Sequence, residues 1–305
     1  MRYAYYPGCS LKSSAAEYET SLLAMCQALD VEITEVPDWN CCGATPAFTI
    51  DPLVGVGLSA RNLVWAEREK LPVMMPCVGC MKNARKALIK LKDESYRQAV
   101  RDALGQEFQG AVRVVHPVEI LYKDLGLPVV EKRVTRPLTG LKVAPYYGCY
   151  LTRPTCDFDN QENPQSLEQL IVTLGAEPVR FSLKMKCCGG GIFLTQEDVA
   201  LELCHRLLTR AKAEGADCIL VACPLCDMLL DAYQVKINPR FKVQHHMPIL
   251  YFSQLAGLAF GLDPQDKALG LGKRVVSVQP VLDKLAQEQA RVEKKRDTPM
   301  MEKTA

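Results

Sequence analysis

Residues 215–226 read GADCILVACPLC, and residues 70–80 read KLPVMMPCVGC. Each puts a short apolar run, 218–222 or 72–76, directly before a CxxC pair. Runs of four to six apolar residues without alternation suit strands buried on both faces, as in a parallel sheet. Similar runs stand at 112–115 and 248–252. Helical faces lie between them. Tyr18, Leu22, Met25 and Leu29 recur at i, i+4, i+7 and i+11, and Leu201, Cys204, Leu207, Leu208 and Ala211 form a second stripe. Strand alternating with helix predicts an α/β fold with a mostly parallel sheet. Such sheets bind ligands beyond the carboxyl ends of their strands, which is where these cysteines fall.

The pattern occurs twice. The first copy holds Cys9, Cys41-Cys42-Gly43, and Cys77-x-x-Cys80; the second holds Cys149, Cys187-Cys188-Gly189, and Cys223-x-x-Cys226. The gap from lone cysteine to pair is 31 residues in one copy and 37 in the other, and from pair to CxxC it is 34 in both. Five positions matching in order mean an internal duplication. Tyr5-Tyr6-Pro7-Gly8-Cys9 parallels Tyr146-Tyr147-Gly148-Cys149. Turn-forming residues at 134–140 (VTRPLTG) separate the copies. The expected organisation is an N-terminal domain at 1–138, a C-terminal domain at 139–272, and a final helix with a mobile charged tail at 273–305.

Bulk composition narrows the function. The chain has 305 residues, 48% hydrophobic and 24% charged, with net charge +2. Neither nucleic acid nor an anionic membrane is indicated by so balanced a charge. No apolar stretch approaches the roughly 20 residues of a bilayer span. The start, MRYAYYPGC, has no continuous apolar core, so no signal peptide and a cytoplasmic location are expected. Fourteen cysteines in a reducing compartment, at organised spacings, point to metal rather than disulfides.

Three chemistries compete for each set. Structural zinc takes four ligands and usually shows two CxxC pairs, whereas each copy has one. A thioredoxin-like dithiol explains Cys223 and Cys226 and leaves the rest idle. An iron–sulfur cluster uses thiolates as soft ligands, but a cubane needs four, and each set has five. Either one cysteine is a spectator or the cluster is no ordinary cubane; composition does not choose. Gly43 and the 189–191 glycines lack a β-carbon, which would let backbone N–H groups approach a bulky inorganic core, with Gly43, Gly189 and Gly190 as the contacts.

The complete order Cys-x31-Cys-Cys-Gly-x33-Cys-x-x-Cys, with its second copy, resembles the duplicated cysteine-rich CCG motif of the heterodisulfide reductase B-subunit family. YYPGCS, PDWNCCGA, GLKVAPYYGCYLTRP, KCCGGG and GADCILVACPLC carry the likeness over most of 1–260. The resemblance implies two pseudo-twofold-related CCG domains with mostly parallel sheets and clusters near their interface. It implies one non-cubane [4Fe–4S] cluster on Cys9, Cys41, Cys42, Cys77 and Cys80, and another on Cys149, Cys187, Cys188, Cys223 and Cys226. A disulfide, CoM-S-S-CoB or an analogue, would be clamped and split between them, with Cys41, Cys42, Cys187 and Cys188 as part of the catalytic centres. The implied partners in the complex are a ferredoxin-like protein (the C-type component) and a flavoprotein (the A-type component). Related CCG proteins instead carry electrons in succinate or fumarate, lactate, glycerol or sulfur-oxidising systems, and a membrane-acting one should show an amphipathic helix, for which 281–292 is the candidate.

Other residues have plainer expectations. Cys26, Cys204 and Cys218 fall on apolar faces and should be core, and Cys156 core or loop. His116 and His245-His246 stand at strand ends, where histidine is more often structural than a proton shuttle. Trp39 and Trp65 should be core or interface. Lys184, Lys186 and Arg153 flank cysteines and are candidates to hold an anionic substrate, although most such side chains are solvated.

Overall fold

The computed structural model describes residues 1–44 and 46–297. Eight strands form two four-stranded sheets. The first contains β1 (Arg2–Tyr5), β2 (Glu32–Glu35), β3 (Val73–Met74) and β4 (Val114–Val115) in the order β2-β1-β3-β4. The second contains β5 (Lys142–Tyr146), β6 (Glu177–Pro178), β7 (Cys218–Val221) and β8 (Ile249–Tyr251) in the order β6-β5-β7-β8. Every pairing is parallel, with Tyr5 opposite Met74 and Ala144 opposite Ile219. The four apolar runs thus become β3 and β4 of the first sheet and β7 and β8 of the second. The outer strands β2 and β6 escape the pattern because most of their residues are exposed at a sheet edge.

This order has a topological switch between β1 and β3, and again between β5 and β7. From there the chain winds outward in opposite directions, leaving a crevice at the carboxyl ends. Cys9 follows β1 and Cys77 follows β3; Cys149 follows β5 and Cys223 follows β7. The fold therefore delivers the lone cysteine and the CxxC of each set to one crevice.

The helices bury the predicted stripes. Ala16–Ala28 encloses Tyr18, Leu22, Met25 and Cys26, and Glu197–Ala213 encloses Leu201, Cys204, Leu207, Leu208 and Ala211. The two halves cross-cover one another. Ala16–Ala28 packs on Phe252–Ala259, while Leu127–Glu131 packs on Ser166–Thr173. At the first contact the Tyr18 and Tyr251 rings stack at 4.1 Å and the hydroxyls of Ser21 and Ser253 meet at 2.8 Å. Both tyrosines are fully buried, each contributing about 2–3 kcal/mol of apolar burial.

The last helix, Gln279–Asp297, extends further than expected, so 292–297 is helical; positions 298–305 of the expected tail lie outside the described residues. Val281 and Leu285 are buried in the second half's core, and Lys284 pairs with Asp217 at 2.6 Å. Much of the apolar face at 281–292 is thus taken up by the protein itself. Among the described residues no helix is long and apolar enough to cross a membrane.

Candidate functional site: two facing cysteine sets

All ten motif cysteines are free, and their exposure repeats between halves. Cys42, Cys77 and Cys80 are buried, as are Cys188, Cys223 and Cys226; Cys9, Cys41 and Cys187 are exposed and Cys149 half-buried. Within each crevice the sulfurs pair. Cys42 Sγ lies 3.3 Å from Cys80 Sγ, and Cys188 Sγ lies 3.4 Å from Cys226 Sγ. The outer cysteines follow suit, Cys9 hydrogen-bonding with Cys41 and Cys149 with Cys187. No three His, Cys, Asp or Glu side chains among the described residues converge closely enough for one metal ion.

The CCG turns are held from both sides. Tyr6 donates to the carbonyl of Asn40, just before the first pair, at 2.8 Å; Tyr146 donates to Lys186 O, just before the second, at 2.7 Å. The two tyrosines each stand three residues before the lone cysteine of their set, Tyr6 before Cys9 and Tyr146 before Cys149, so the halves align here without a gap. Gly43 and Gly189 have φ of +83° and +89°, and a β-carbon there would strike Ala47 at 2.5 Å or Ala200 at 2.7 Å. These glycines are thus required by left-handed backbone and by the helix behind the turn. Their amides still face sulfur: Gly189 N–H donates to Cys187 Sγ at 3.2 Å, and the Gly43 amide partly offsets the burial that pushes the Cys41 thiol up.

Crowding makes the thiols divide their charge. The hydrogen bond between them pulls Cys42 down to about 7 and pushes Cys80 well above the thiol range. Hydrogen bonds with Cys149 and Cys188 draw Cys187 down to about 2, and the same contacts push Cys149 well up and Cys188 up to about 11. Cys223 falls well below its usual value through Cys226 and Cys77, while Cys77 rises to about 12 through Cys223. Each crevice therefore offers thiolates and backbone N–H donors together. That donor set fits an iron–sulfur cluster.

Cys77 and Cys223, whose preceding carbonyls lie within 3.1 Å of one nitrogen, form the junction between the two sets. His116, wholly buried, stands behind it. Its Nε2 lies 2.8 Å from Pro76 O and 3.1 Å from Ala222 O, the carbonyls immediately preceding those two cysteines. Its Nδ1 accepts from Val118 N–H at 3.1 Å, which leaves the proton on Nε2. Burial pulls the imidazole down to about 4, so it is neutral at physiological pH. Tyr18 donates to Pro76 O at 3.3 Å from the other side.

Residues 3–84 and 143–231, the two stretches that supply these sulfurs, match the CCG family, described as a cysteine-rich domain. The chain belongs to this family. It carries the CCG domain twice and is similar to relatives over most of its length. An 8-methylmenaquinol:fumarate reductase membrane anchor subunit from Wolinella succinogenes is 34% identical over 90% of this chain and 96% of its own. The B subunit of a ferredoxin:CoB-CoM heterodisulfide reductase from Methanosarcina mazei is 32% identical over 88% and 92%. The B subunit of a ferredoxin/F(420)H(2)-dependent CoB-CoM heterodisulfide reductase from Methanosarcina acetivorans is 32% identical over 89% and 92%. Among solved structures, a hypothetical protein from Helicobacter pylori superposes with TM-score 0.72 at 14% identity over 90% of this chain. This chain spans 52% of that one, and the likeness is one of fold.

Within this CCG protein the remaining candidates sort by their partners. Lys184, Lys186 and Arg153 do line one cavity of about 750 Å³, but Lys184 is tied to Glu168 at 2.6 Å and Arg153 to Glu162 at 3.1 Å. Sequence reading missed Lys82, two residues past Cys80. It is half-buried and lies over the Tyr150 ring at 5.0 Å; burial and then Lys86 pull its ammonium down, against Cys42 and Cys80 of its own half and Cys149 of the other, which favour its charge. Asn83 was missed too; its Nδ2 holds Cys42 O at 3.2 Å and Ala44 O at 2.6 Å. Cys26, Cys204 and Cys218 are buried core, with Cys204 Sγ 3.2 Å from Cys188 O, and Cys156 is half-buried. His245 bonds His205 at 3.0 Å, while Trp39 and Trp65 are half-buried against the first core.

Proposed function

We propose that this chain is the B-type subunit of a heterodisulfide reductase-like complex, cleaving CoM-S-S-CoB or an analogous disulfide. In this reading Cys9, Cys41, Cys42, Cys77 and Cys80 hold one non-cubane [4Fe–4S] cluster, and Cys149, Cys187, Cys188, Cys223 and Cys226 hold the other. A bound cluster supplies electrons one at a time. Cleaving RS–SR′ consumes two electrons and two protons and releases two thiols, so a one-electron source must act twice. The observation that carries the proposal is the junction of the two sets at Cys77 and Cys223, whose preceding carbonyls share His116 Nε2 at 2.8 Å and 3.1 Å. Lys82, facing cysteines of both halves from the rim, would orient an anionic substrate there. A ferredoxin-like C-type component and a flavoprotein A-type component are the proposed partners.

Anaerobic reconstitution should yield about eight iron per chain. With a reduced one-electron donor, such protein should convert an unsymmetrical anionic disulfide to two thiols. Reproducible zinc without iron would overturn the cluster assignment. Iron-loaded protein that never yields thiols, yet passes electrons between a quinol and fumarate with a flavoprotein partner, would favour a second reading. That reading, a CCG protein acting in electron transfer alone, is supported by the 34% identity to the fumarate reductase anchor.

A further inference from the structure

We infer that His116 is a positioning residue that sets the spacing of the two cysteine sets by sharing one N–H between the halves. The inference rests on the two-cluster reading and deepens it. With Val118 N–H occupying Nδ1, the single proton on Nε2 is aimed at Pro76 O at 2.8 Å and Ala222 O at 3.1 Å. Each carbonyl belongs to the residue before the first cysteine of a CxxC, so fixing the two carbonyls fixes Cys77 against Cys223. The donor has little freedom. Its ring is wholly buried, tilted against Phe252 at 5.9 Å, and sits at the N-terminus of the helical turn Pro117–Glu119. Two buried carbonyls facing each other without a donor between them would repel, and each would lack a partner on that side. A buried N–H bridging them is therefore an attractive link directly behind the contact between the two sets.

Its counterpart in the second half is Tyr251, which also caps a helix after the fourth strand of its sheet but stacks on Tyr18 instead. The link is thus a single, asymmetric one, and one substitution removes it. His116→Met fills similar space without a donor, whereas His116→Gln places an amide N–H where Nε2 stood.

The test uses the reconstituted full chain, with iron content, the magnetic interaction between the two reduced clusters by EPR, and disulfide turnover measured together. His116→Met should keep wild-type iron, lose or markedly weaken the intercluster interaction, and turn over at least tenfold more slowly. His116→Gln should retain the interaction and most of the turnover. If Met and Gln variants behave alike, the inference is wrong. Should the Met variant fail to fold, a Gln variant with full iron and no interaction overturns it equally, and one with the interaction intact upholds it. Wild-type protein without two interacting clusters would instead overturn the functional reading, and this inference with it.

Discussion

The two halves share strand order, cysteine spacing after the CCG pair, and the tyrosine that pins the residue before it. They differ in what surrounds the sulfurs. Lys82 and Asn83 of the first half correspond to Met228 and Leu229 of the second, each at the same distance past its CxxC, and His116 corresponds to Tyr251. The second CCG turn is held by its glycines and by Cys204 on Cys188 O, where the first uses Asn83 on Cys42 O. The repeated features surround the cysteines themselves; of the divergent ones, Lys82 and His116 face the other half, while Asn83 and Cys204 act within their own. In the proposed reading, two unlike sides would hold an unsymmetrical molecule in one orientation, because the charge of Lys82 lies on one of them.

The largest effect should come from removing a buried sulfur in either half. Cys42→Ser and Cys188→Ser are each expected to lower iron from about eight to about four per chain and to abolish disulfide turnover. If either variant keeps full iron, the halves are not equivalent in ligation. Next in size are two buried guanidinium clamps. Arg274 joins Asp227 of the second half at 2.9 Å to Glu17 of the first at 3.6 Å; Arg85 of the first half holds Glu119 at 2.8 Å and reaches Thr155 O of the second at 2.9 Å. Arg274→Met strands the buried Asp227, and urea melts should show a loss of about 3–5 kcal/mol; Arg85→Met should cost less, because Arg113 still holds Glu119 at 2.7 Å. A loss for Arg85→Met as large as that for Arg274→Met would mean that Arg113 does not compensate for the missing guanidinium.

Acid should weaken the first half through His116, for which Tyr251 is no substitute. Its native pKa of about 4 lies below the ordinary 6.5, so the unfolded chain binds the proton first. The contribution is complete above pH 6.5 and is lost as pH falls toward 4, on the order of 3 kcal/mol in all. His116→Gln should flatten the fall in stability measured by denaturant melts between those pH values. The smallest expected effect is that of Lys82→Met, which copies the second half's residue. It should raise KM for an anionic disulfide about tenfold and leave kcat nearly unchanged, a loss of uniform binding. An equal drop in kcat would mean the lysine acts on the chemistry.

Much of this architecture was readable from residue order. Four of the buried strands stood out as short, mostly apolar runs, and the helices as stripes such as Tyr18, Leu22 and Met25. The edge strands did not, because EITE at Glu32–Glu35 lies mostly in solvent and needs no apolar pattern. Lys184 and Arg153 looked available because they neighbour cysteines, yet carboxylates distant in sequence neutralise them. Lys82 looked ordinary, since only folding brings Cys149 to it.

Residue order alone determined the duplication, the α/β class and the positions of the ten motif cysteines, since internal recurrence and strand burial both show in local residue type and spacing. Only the tertiary structure decided that the sets meet at Cys77 and Cys223 and that His116 bridges them. Those contacts join positions 146 and 106 residues apart, and nothing short of the packed interface between two sheets places them together.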